Sequence, residues 1–171
     1  MAVRVVYSID SNSKKVLERM GDIAVKSWKS VLLQFGYQFR AGMSAIFANK
    51  AGRVNSNMVD GPVWRPLNAK YQAIKSKIVP LAGTLVWNGK LRKSFTDTGD
   101  GNNINLIKDT EAEFGSSNPL ARYHQDGHSK GWYPARPIVF ESPKRNEEFV
   151  LILINYFNAM FKAKGLNMRV R

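Results

Sequence analysis

The chain has 171 residues, 44% of them hydrophobic, with 26 Lys and Arg against 13 Asp and Glu for a formal net charge of +13, and no cysteine. This size and apolar content fit one domain with a real core, while the lack of cysteine excludes disulfides and thiolate metal sites. No apolar run approaches the roughly 20 residues of a membrane-spanning helix. Residues 1–7 lack the long apolar core of a secretory signal, and a cytoplasmic origin fits. The basic excess favours nucleic acid, an anionic partner protein or a membrane surface, and it suits a merely solvated basic surface equally well. It is spread along the chain, with seven basic and two acidic residues over 61–100 and no block of five or six consecutive cations.

Val3, Val5, Tyr7 and Ile9 alternate with Arg4, Val6 and Ser8, the period of a strand. Leu17, Met20, Ala24, Trp28, Val31, Leu32 and Phe35 then follow helical spacing, and Phe39, Met43, Ile46 and Phe47 resume it. Residues 13–48 therefore read as one kinked helix or two, with Gly36 as the end or bend. The aromatics of this stretch suit a core better than a stacking platform. Residues 49–63, rich in Asn and Gly, read as a long loop that orders against a neighbour. Pro66 opens a helix whose Leu67, Tyr71 and Ile74 share a face, ringed by Lys70, Lys75 and Lys77. Asn88-Gly89 marks a turn. Lys90 to Ser94 reads as one helical turn leading into a strand at Phe95.

Residues 104–108 and 111–115 flank Asp109-Thr110 as a β-hairpin. Asn118 caps a short helix, with Pro119 at its first position where no N–H is missed. Ile138-Val139-Phe140 reads as a short strand. Ser142-Pro143 then starts a last helix with a broad apolar face from Phe149 to Phe161, and a basic tail spans 162–171. The fold class is α+β, a mostly antiparallel β-sheet covered by a long N-terminal helix and a C-terminal helix, all in a single domain, 1–171.

Motifs of catalysis are missing. His124 and His128 are four apart, but Gly127 lies between them and no third metal ligand stands at a known spacing. There is no nucleophile elbow, phosphate-binding loop or zinc-protease motif. Glu111 and Glu113 share a strand face with nothing to raise either pKa. The residues point to no enzyme and no cofactor. Aromatics interleaved with cations, such as Trp64, Arg65, Tyr71, Trp87, Lys90 and Arg92, are compatible with nonspecific nucleic-acid binding, which is the alternative function.

The most shaped stretch runs from Phe114 to Pro137. It holds Phe114-Gly115-Ser116, Ala121-Arg122-Tyr123-His124-Gln125-x-Gly127 and Ala135-Arg136-Pro137. Before it stand Trp64-x-Pro66-Leu67, Tyr71, Lys75, Leu85 and Gly89-Lys90-Leu91-Arg92-x-Ser94-Phe95. In this order the motifs resemble the phage virion morphogenesis, or tail completion, family of Mu-like phages, over about residues 60–160. Trp87 before Asn88-Gly89 and the Asn/Gly-rich insert at 99–103 depart from its pattern.

The resemblance implies a structural virion protein of the phage neck, at the head–tail junction, assembled in the host cytoplasm. It would act in tail completion and head–tail joining as a ring of roughly six or twelve copies around the DNA channel, without cofactor or catalysis. Its neighbours would be portal or adaptor-side proteins and the tail terminator or tail tube, with nonspecific contact to packaged DNA and no membrane. Under it, Arg122, Arg136, Trp64, Tyr123 and His124 are candidates for inter-subunit bonds or for anchoring the Gly-rich loop. Either arginine would bond carboxylates or tie that loop to the domain. Lys90, Arg92, Lys93, Lys162, Lys164, Arg169 and Arg171 are candidates for contact with the DNA channel or a partner.

Overall fold

The computed structural model describes residues 2–8, 28–49, 52–55, 60–128 and 133–163. Among these the fold is α+β, with five helices and a three-stranded antiparallel sheet on which the two long helices pack. The sheet runs β1 (Val3–Ser8), β5 (Glu111–Ser116), β4 (Asn103–Ile107), so β5 lies in the middle. The register sets Val5 opposite Phe114 and Asn105 opposite Phe114 on the other side. Val3, Val5, Ala112 and Phe114 therefore face the core, and so do Asn103 and Asn105. Each inward asparagine makes one side-chain bond, while Asn103 Oδ1 is buried without a partner among the described residues. Asn105 Oδ1 accepts from Arg40 Nη1 at 3.1 Å, and Asn103 Nδ2 donates to the Ser94 carbonyl at 3.1 Å.

The organising helix is α1 (Lys29–Ala48). Its buried stripe runs Val31, Leu32, Phe35, Phe39, Met43, Ile46 and Phe47, the three- and four-residue spacing of one helix face. Phe39 stacks on Phe114 of the sheet, with ring centroids 5.6 Å apart. Phe35 meets Phe149 of α5 (Pro143–Ala163), and Phe47 meets Phe95 of α3 (Lys90–Thr96). Gly36 does not end the helix, which runs on through it. A Cβ there would lie 2.9 Å from Phe114 Cε1, so the bare Cα gives that ring its place on the helix. The predicted helix over 13–27 lies outside the described residues.

Several expectations change. The 49–63 loop contains an antiparallel ribbon, β2 (Gly52–Asn55) with β3 (Asp60–Trp64), whose register slips between Arg53 and Asn55. That slip and Gly61-Pro62 hide its strand character in the sequence. The predicted strand at Phe95 is instead helical. Leu91, Ser94 and Phe95 are buried together on one face of α3, and that burial holds the chain helical past Ser94. In α2 (Ala69–Ile78) the expected face is reversed. Tyr71 and Ile74 are exposed and Lys75 is buried, because its ammonium reaches the Gly83 and Thr84 carbonyls at 2.6 and 2.8 Å.

Residues 138–140 form no strand. The side-chain amide of Gln125, on α4 (Pro119–Asp126), does a neighbouring strand's work. Its Oε1 accepts from the Ile138 and Val139 N–H groups at 2.9 and 3.0 Å, and its Nε2 donates to the Val139 carbonyl at 2.7 Å. The Asn118 cap holds, its Oδ1 accepting from Leu120 N with Pro119 next to it, and the last helix starts at Pro143 as expected, where Ser142 Oγ accepts from Arg145 N.

Candidate interaction site

Of the residues singled out between 64 and 137, Trp64, Tyr71, His124 and Arg136 gather around one place. Trp64, at the end of β3, is buried, and its indole N–H donates to the Pro137 carbonyl at 3.2 Å. Arg136 turns inward. Its Nε and Nη2 donate to the Arg65 carbonyl at 3.2 and 3.0 Å, and Nη2 also approaches the Pro66 carbonyl at 3.4 Å. Its own N–H donates to the His124 carbonyl at 2.6 Å. The planar guanidinium thus fastens the 133–137 segment to the 64–66 segment, with backbone carbonyls as acceptors. Within the described residues Arg136 ties the loop to the domain through the Arg65 and Pro66 carbonyls and bonds no carboxylate. Below, Asp60 and Ser142 bond through Ser142 Oγ to Asp60 Oδ1 at 2.9 Å, tying the start of β3 to the start of α5.

A second buried link joins α3 to β5. Ser116 Oγ donates to Ser94 Oγ at 2.8 Å, and Ser94 Oγ donates to the Leu91 carbonyl. Ser116 Oγ also accepts from Asn118 N, which places the cap of α4. Gly83 sits where α1 ends. A Cβ there would fall 1.9 Å from the Phe47 carbonyl oxygen, so only glycine lets the 83–84 backbone run against α1. There the Thr84 N–H donates to the Asn49 carbonyl at 2.7 Å.

These links surround an open cleft of about 720 Å³. Arg65, Pro66, Leu67 and Tyr71 form one side, Thr84 and Leu85 another, and His124, Tyr133, Pro134 and Arg136 close it. Tyr71 stacks on Trp87 with centroids 6.0 Å apart, giving the rim a flat aromatic edge. Beyond it Ile74, Ile78 and Leu81 continue an exposed apolar shelf. Burial lowers the proton affinity of Arg136, and Arg65 adds to the effect. Burial lowers that of Lys75 and of His124 as well, with Arg136 as the second cause in both. His124 Nδ1 is buried with no hydrogen-bond partner among the described residues. The cleft offers donors, aromatic faces and positive charge, and its lining contains no Asp or Glu.

The remaining candidates lie elsewhere. Arg122 pairs with Asp126 at 3.5 Å on the surface of α4, both side chains more than half exposed. With Tyr123 they line a separate hollow of about 510 Å³. Tyr123 stands edge-on to Tyr133, linking the two hollows. Lys90, Arg92 and Lys93 are exposed on α3, and Lys162 is exposed in the last turn of α5. Lys164, Arg169 and Arg171 lie outside the described residues. Arg65 and Tyr133 were not singled out as site residues, and neither the inward turn of Lys75 nor the role of Gln125 was foreseen. Only the ordered motifs hinted at Lys75 and Gln125, since the carbonyls they satisfy are contributed by other segments.

Among the described residues no group of three His, Cys, Asp or Glu is placed to hold a metal ion. No helix there is long and apolar enough to cross a membrane. Fold and cleft together define a small α+β protein with an electropositive, aromatic-rimmed recess. No protein-family model, curated protein or solved structure matches the chain.

Proposed function

We propose that this chain is a structural protein of the neck of a tailed phage, acting in tail completion and head–tail joining as one copy in a ring around the DNA channel. One observation carries the reading. The residues of the ordered motifs bond to one another: Trp64 to Pro137, Arg136 to Arg65 and Pro66, and Ser116 to Ser94. Motif residues used to lock a shape suit a protein whose task is to present surfaces. Exposed apolar side chains supply such surfaces, among them Tyr37, Val63 and Leu81, the last 84% exposed. Copies of itself, portal-side proteins and the tail terminator or tube are the partners under this reading, and no cofactor is used.

The exposed Lys90, Arg92 and Lys93 suit phosphate contact without sequence readout. The same three side chains favour the second reading, a nonspecific nucleic-acid binder acting alone. Electron microscopy of a lysate from a phage lacking the gene separates the two. Filled heads beside finished, detached tails support joining, and overlong or unfinished tails support tail completion. Normal infectious particles overturn the neck reading. The isolated protein would then hold DNA with a steep salt dependence.

A further inference from the structure

The charge of the cleft is one-sided. Arg65 stands exposed at its rim, Arg136 is 5% exposed at its wall, and Lys75 is 2% exposed just behind Thr84. Both buried cations end on backbone carbonyls. A carbonyl satisfies a donor's geometry, but it does not cancel a full charge taken out of water, and buried charges are normally paired. Ion pairs such as Arg4–Glu113, Lys108–Glu111 and Arg122–Asp126 lie elsewhere. His124 adds a buried, unpartnered Nδ1 to the same lining. A counter-anion is what this group of side chains lacks.

We propose that the cleft is a docking site for an acidic side chain of a partner protein, its carboxylate seated among Arg65, Arg136 and His124 and its apolar neighbours against Leu67, Tyr71 and Leu85. A planar guanidinium matches a planar carboxylate. The apolar part of the lining favours peptide over duplex DNA, whose polar backbone would leave Leu67 and the exposed Tyr71 ring uncovered. The occupant is a different, acidic protein, which a chain of net charge +13 attracts at long range. The site does not depend on where in a particle the protein resides.

The test uses the full chain and a blocked peptide, Leu-Glu-Leu between alanines, with its Gln counterpart, acetate and a short DNA duplex as comparison probes. Binding is followed by amide and imidazole resonances. The Glu peptide should shift the resonances of Tyr71, His124 and Arg136, and bind about tenfold more tightly than the Gln peptide. It should also raise the proton affinity of His124, which a contact with the apolar shelf alone would not do. Arg65→Gln changes an exposed side chain and leaves the Arg65 carbonyl in place for Arg136, so the fold survives, and Glu-peptide affinity should fall about tenfold. Equal binding of the two peptides overturns the proposal. So does stronger displacement of the same resonances by the duplex. Self-association that Arg65→Gln abolishes would give the cleft to a second copy and overturn it too. Acetate alone shifting His124 weakly and in the same direction supports the carboxylate as the recognised group.

Discussion

The Trp64 indole N–H and the Pro137 carbonyl meet at 3.2 Å across 73 residues of chain. This bond and the Arg136 guanidinium hold β3 against the segment that follows α4. Trp64→Phe keeps most of the buried surface and removes the donor, and should lower stability by about 1 kcal/mol. Trp64→Ala should lower it by about 3–5 kcal/mol through the cavity it leaves. Denaturant unfolding at constant m-value measures both. Near-equal losses would mean that packing contributes little at this position.

The Ser94–Ser116 pair is suited to a double-mutant cycle. Both side chains are buried, and each single Ala substitution removes their mutual bond, leaving Ser94 only its bond to Leu91 or Ser116 only its bond from Asn118. Each should destabilise by about 1–3 kcal/mol, with the double variant losing clearly less than the sum. Strict additivity would mean that the two hydroxyls act independently.

His124 gives a pH dependence with a definite sign. Burial, then Arg136, lowers its proton affinity below the ordinary value of 6.5. As pH falls through about 6.5, the unfolded chain takes up the proton first, so stability declines until the lower folded pKa is reached. Above that window His124 contributes no slope. Thermal unfolding between about pH 8 and pH 5 should therefore show a fall on the acid side. His124→Gln should make that fall shallower, and an unchanged profile would remove His124 as its source.

Gly83→Ala should be among the most damaging small substitutions. The added carbon meets a backbone oxygen of α1, which cannot swing aside as a side chain can. A loss of about 1–3 kcal/mol or more follows, read from the unfolding midpoint. Arg122→Ala is the contrast. Its pair with Asp126 is solvent-exposed, so stability should change by less than about 1 kcal/mol. Under the proposed neck role, a fall in particle yield with this variant would then report a contact between subunits.

Elements whose burial follows their own periodicity were legible from sequence. The alternation of β1 and the stripes of α1 and α5 name the residues that end up inside. What escaped depended on partners far along the chain. Lys75 reverses the face of α2 only because the Gly83 and Thr84 carbonyls await it. Asn103 and Asn105 face inward because Ser94 and Arg40 answer them. The cleft was legible only as an ordered series of motifs. The opposition of Arg136 to Arg65, with no acid in the lining, exists only in three dimensions.

The Gln125 amide has one more consequence. Ile138-Val139-Phe140 is apolar and reads as a strand in the sequence, yet it forms none. Gln125 engages both N–H groups at 138 and 139 and the carbonyl at 139, so that stretch offers an incoming chain little backbone to bind. A single side-chain amide thereby supplies the hydrogen bonds that a neighbouring strand would otherwise have to supply.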